Sequence, residues 1–141
     1  MQSKTEEATG FWEDAEVIAS YSRAQAIEDG ALIDVSETAR EAGITFPVAV
    51  TRAAWEDCCE WTDSDSKAKP YGQSVQGRLW DVVSMLRYAI RSSHGGNIIH
   101  YRLSRIPRPG NGAKKLVTLK SVCGPGDTPD PVITIMLPNE D

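Results

Sequence analysis

Five carboxylates, Glu56, Asp57, Glu60, Asp63 and Asp65, fall within ten residues. Strung along a helix and just past its end, such acids can imitate a run of phosphates and occupy a basic groove on another protein. The opposite chemistry lies downstream, where Arg102, Arg105, Arg108, Lys114 and Lys115 surround one predicted hairpin beside His100 and Tyr101. Arginine next to an aromatic ring suits phosphate contact and base stacking. Each cluster has a plainer reading: a wet helix face for the acids, and for the cations a solvated strand whose lysines discourage edge pairing. The clusters belong to a wider division, because residues 1–65 carry a net charge of −11 and residues 66–141 one of +6. From Val82 to Gly126 there is no acid at all. The asymmetry points either to a charged partner surface or to two halves that attract each other on folding.

Nucleophile and metal chemistry find less to work with. The cysteines are Cys58, Cys59 and Cys123, an odd number with two adjacent, and adjacent residues rarely bridge without strain. With no CxxC spacing and only His94 and His100 besides, no four-ligand zinc pattern emerges, so buried reduced thiols are expected. A Cys–His pair between these residues lacks any nucleophile turn around it. Gly124-Pro125-Gly126-Asp127 has neither the lysine nor the following helix of a phosphate loop. No catalytic residue, metal ligand or cofactor is therefore assigned. Thr38–Thr45 resembles the opening of a helix-turn-helix, which would start a recognition helix near Thr45, yet Pro47 and the acids nearby disfavour it.

The elements that must position these groups can be read from periodicity and capping. Glu16–Tyr21 reads as a short strand, and Ser22 caps a helix over Arg23–Asp29 that Gly30 stops. Ala31–Val35 reads as a strand, and Ser36 caps a further helical turn through Ala42, ended by Gly43. Phe46–Val50 is expected to be a connector, and Thr51 to cap a helix from Arg52 to about Trp61 with Trp55, Cys58 and Cys59 inward. Thr62–Gln73 reads as a polar loop. Ser74 opens the longest helix, to about Ser92, whose stripe of Leu79, Trp80, Val82, Val83, Leu86, Ala89 and Ile90 predicts the central packing helix. Ile98–Ile106, Leu116–Val122 and Val132–Leu137, separated by Gly/Pro turns, predict a three-stranded antiparallel meander. The expected architecture is α+β: short N-terminal strand and helix units, then a long helix packed on the C-terminal meander.

At 141 residues the chain suits one domain, read as a flexible tail over residues 1–10 and a single α+β domain over 11–141. About 70% of the unfolded surface is buried in a domain of this size, so neither metal nor disulfide is needed to hold it. The polar, acidic start has no secretory pattern and no run approaches a membrane span, so a cytoplasmic protein without a membrane partner is expected.

Tyr21–Ser36, Ala39–Gly43, the Trp-Glu-Asp-Cys core of Thr51–Trp61, Gly77–Val82 and Leu116–Leu137 with Cys123-Gly124-Pro125-Gly126-Asp127 together resemble a family of small proteins of unknown function. Its members are carried on bacterial plasmids and integrative elements. What the resemblance implies is context, since accessory genes on mobile elements often counter host defence or regulate transfer. With the acidic first half, this leads to the expectation of a non-enzymatic inhibitor of anti-CRISPR type. It would bind a host protein or ribonucleoprotein defence complex through Glu56, Asp57, Glu60, Asp63 and Asp65. The alternative is a nucleic-acid-binding accessory protein acting through Arg102, Arg105, Arg108, Lys114 and Lys115, and a small enzyme is the third reading.

Overall fold

A computed structural model describes residues 21–68, 72–108 and 113–141. The tail, the strand expected at Glu16–Tyr21 (Tyr21 apart) and the tip of the basic hairpin lie outside the described residues. Helix α1 (Arg23–Asp29) starts as its capping box dictates, with the Ser22 hydroxyl accepting from the Gln25 N–H and the Gln25 side chain returning to the Ser22 N–H. It stops at Gly30, which takes the left-handed φ of 83° that a Cβ would penalise. Strand β1 (Leu32–Asp34) and helix α2 (Ser36–Glu41) follow.

Two expectations fail in this region. Ser36 does not cap α2; the cap position is Val35, and the Ser36 hydroxyl instead donates to Asp34 at 2.6 Å and accepts from the Val48 N–H at 3.0 Å. The connector Phe46–Val50 is largely a strand, β2 (Val48–Thr51), with Val48, Ala49 and Val50 all buried. Because both its faces are covered, its sequence is a continuous apolar run without the alternation that marks a half-buried strand. Pro47 sits just before it, where its carbonyl accepts from Ile133 and its missing N–H costs nothing. A strand in this place also removes the recognition helix of a helix-turn-helix.

The sheet has five strands, not three, in the order β1-β2-β5-β4-β3, with β3 (Ile98–Arg105), β4 (Lys115–Pro125) and β5 (Pro131–Met136) forming the antiparallel meander. It is a mixed sheet, since β2 runs antiparallel to β1 but parallel to β5, with Val48 opposite Ile133 and Val50 opposite Ile135. Alternation sorts the side chains into two faces. The inner face carries Tyr101, Leu103, Leu119, Ile133, Ile135, Val48 and Val50, all buried. Across it lies α5 (Val75–Ser92), capped by Ser74 and burying Leu79, Val82, Val83 and Leu86. Each of these four is worth about 1.5–3 kcal/mol of transfer free energy, which makes the helix the centre of the core. The buried Tyr101 hydroxyl donates to the Val82 carbonyl at 3.0 Å. Trp80 departs from the expected stripe and is exposed. On the opposite, outer face α1 is held by Arg23, which donates to Thr134 Oγ1 and the Ile133 carbonyl, both at 2.7 Å.

Candidate charged site at the end of the sheet

Helix α3 (Arg52–Cys58) begins at Thr51, whose hydroxyl accepts from the Ala54 N–H, and ends three residues before the expected Trp61. The loop expected at Thr62–Gln73 contains a further helix, α4 (Asp63–Ala68). The signal for it is a capping box: Thr62 Oγ1 accepts from the Asp65 N–H and the Asp65 carboxylate from the Thr62 N–H. Thr-x-x-Asp is short and sits among other polar residues, which is why it reads as loop.

These two helices place the acids against the cations, the internal attraction that was one of the two readings of the charge division. Arg105 Nη2 meets Asp57 Oδ1 at 2.8 Å. Arg108 Nε meets Asp65 Oδ2 at 2.8 Å, and its Nη1 lies 3.4 Å from Glu60 Oε2. Three of the five acids are thereby engaged by two of the five cations, so the two charged clusters partly neutralise each other within the chain. Asp65 is buried, its side chain only 4% exposed. Burial works against its ionisation, but the Thr62 N–H and the Arg108 guanidinium outweigh that and hold its carboxyl below the ordinary value. Glu56 and Asp63 stay exposed, with no ion pair among the described residues.

Beneath this seam lies a residue the sequence reading passed over. Arg78 on α5 is only 3% exposed and has no carboxylate partner among the described residues. Its guanidinium sits 4.8 Å from the ring centroid of Trp61 and donates to the carbonyls of Ile106 at 3.0 Å and Asp57 at 3.3 Å. It ties α5, α3 and the end of β3 together. A basic residue followed by Leu79 on an otherwise apolar stripe was the available sign, and charge counting treats it as surface.

Arg102, Lys114 and Lys115 remain exposed, with no ion pair among the described residues. Arg102 belongs to the outer face, where cross-strand neighbours pair His100 with Lys120, Arg102 with Thr118 and Ser104 with Leu116. Ile98 is 56% and Leu116 65% exposed on that face. Lys120 donates to the Glu140 carbonyl at its border.

The thiols divide in the same way. Cys58 and Cys59 are buried in the core, and burial pushes their pKa values up to about 11 and about 12. His94 and His100 are exposed, and no Cys–His hydrogen bond occurs among the described residues. Among those residues no group of three His, Cys, Asp or Glu is placed to hold a metal ion, and no helix is long and apolar enough to cross a membrane. Compared with known proteins, residues 8–141 match the model of a family described as a family of unknown function, DUF6573. No curated protein and no solved structure matches the chain.

Proposed function

The chain belongs to the DUF6573 family, and we propose that it is a nucleic-acid-binding accessory protein of a mobile element, using the outer face of the β3–β4 hairpin together with its Lys114–Lys115 end. The observation that carries this reading is the redistribution of charge on folding. Arg105 and Arg108 are spent on the acids of α3 and α4. Arg102 on the outer face, and Lys114 and Lys115 at the end of the pair where Lys115 lies opposite Arg105, stay exposed on a hairpin whose strands contain no carboxylate. Exposed Ile98, Leu116 and His100 give that face the apolar and ring surface on which unpaired bases can rest. The reading favours single strands, because the face is a strand surface with exposed apolar and ring side chains and offers no helix to a major groove.

The inhibitor reading on the acidic face has lost support, since Asp57, Glu60 and Asp65 already have cationic partners within the chain. It rests now on Glu56 and Asp63. Fluorescence anisotropy with a labelled single-stranded oligonucleotide at low salt tests the nucleic-acid reading. With three phosphate contacts the affinity should fall roughly 20-fold between 50 and 200 mM salt. Arg102→Glu with Lys114→Glu and Lys115→Glu should abolish binding, whereas Glu56→Lys with Asp63→Lys should leave it or strengthen it. Absence of binding at 50 mM salt, to DNA and RNA alike, removes the proposal.

A further inference from the structure

Away from the charged seam, a cleft of about 570 Å³ opens between the C-terminal half of α5, the loops at Gly43–Phe46 and Ser93–Asn97, and the inner face of β3–β5. Its volume is in the range of small-molecule sites. The walls are apolar, formed by Ile44, Ile90, Ile99 and Ile133, with Phe46 at the rim and 43% exposed. Arg87 is the one charged residue that lines it.

Two features distinguish this cleft from a gap between loops. Arg87 is held in place: its Nε donates to the Gly43 carbonyl at 3.1 Å, and no carboxylate pairs with it among the described residues. Position 43 must be glycine for this to happen, because its φ is 100° and a Cβ there would stand 2.7 Å from Arg87 Nε. The second feature is Ser121. It is 3% exposed, lines the cleft, and its hydroxyl makes no hydrogen bond among the described residues. A hydroxyl that lines the cleft and is not engaged by another described residue is available to a ligand atom placed there.

We propose that the cleft binds a small apolar carboxylate, with its anionic end on the η nitrogens of Arg87 and its body against the isoleucines. Ser121 supplies one further hydrogen bond, and the glycines at 95 and 96, both at positive φ, form the far rim without side chains that would narrow the mouth. The charge complementarity is one-sided, since no acid lines the cleft to repel an anion.

The test compares naphthalene-2-carboxylate with its neutral isostere naphthalene-2-carboxamide, titrated into the full-length protein and followed by amide chemical shifts. The carboxylate should move the amides of Gly43, Asn97, Ser121 and Cys123 and bind at least tenfold more tightly than the carboxamide. Arg87→Met, which keeps the aliphatic stem, should erase that preference while leaving the carboxamide affinity unchanged. Ser121→Ala should weaken both probes. Equal affinity of the two probes for the unmodified protein, or no shifts in these amides at millimolar probe, overturns the proposal even if the Arg87 variant fails to fold.

Discussion

Removing Asp65 tests the charged seam most directly, because a single carboxylate oxygen there serves two partners. Asp65 Oδ2 accepts from Arg108 Nε at 2.8 Å and from the Thr62 N–H at 2.9 Å. A hydrogen bond to a charged group contributes about 1.5–3 kcal/mol, and the 30% exposure of the Arg108 side chain argues for the lower end, about 1.5 kcal/mol. Loss of the reciprocal half of the capping box, which leaves the Thr62 N–H without its carboxylate, adds about 1 kcal/mol. Asp65→Ala should therefore destabilise by about 2.5 kcal/mol, Arg108→Ala by about 1.5, and the double variant by less than the sum, with a coupling near 1 kcal/mol. Urea unfolding at pH 7 reads all three, as shifts of the midpoint at constant slope. The pH dependence follows from the direction of the shift. Burial opposes ionisation, but the Thr62 N–H and Arg108 prevail, so the folded pKa lies below the usual 3.8. The contribution is then complete above that value and is lost as pH falls through the lower, folded one. The gap between native protein and Asp65→Ala should shrink at acid pH. A coupling below about 0.3 kcal/mol, within ordinary additivity error, would refute the seam as a stabilising contact.

Gly43→Ala should destabilise by about 1–3 kcal/mol from the left-handed backbone alone, with further cost from displacing Arg87, visible as a lower thermal midpoint. Thiol titration of the native protein with an aromatic disulfide should modify Cys123, while Cys58 and Cys59 react only on unfolding. Because burial raises the Cys58 pKa from 9.0 to about 11, stability should be intact below pH 9 and decline between pH 9 and 11, and equal midpoints at pH 8 and 10.5 would contradict this. Asp127, whose carboxylate accepts from the Arg23 and Ala24 N–H groups, should on replacement by Ala increase amide exchange through α1 relative to α5.

What the sequence made legible was local. Helix α5 announced itself through Ser74 and a 3.6-residue stripe, α1 through Ser22 and Gly30, and the β3–β4 hairpin through alternation between turn residues. Trp80 misled because hydrophobicity alone does not say which edge of a stripe meets the sheet. The misses were non-local. Nothing near Val48 states that it will lie beside Ile133, and a strand buried on both faces has no period to read. The cleft was equally hidden, since Arg87, Ser121 and Gly43 meet only once α5 crosses the sheet.

The charge division shows how a correct count can carry either of two meanings. An excess of −11 beside one of +6 reads as two surfaces for two partners, or as one internal attraction, and the arithmetic is identical. Geometry separates them. Arg108 reaches a carboxylate 43 residues upstream and Arg105 one 48 residues upstream, so part of the asymmetry serves to lock α3 and α4 onto the end of β3. Once those pairs are formed, what is left for a partner is positive on the hairpin and reduced to Glu56 and Asp63 on the helices. The same two arginines therefore cannot be counted both as glue and as a phosphate grip. Any surface that binds nucleic acid here must be built from Arg102 and the lysines, and replacing Arg105 or Arg108 should unlock α3 and α4 before it weakens a complex.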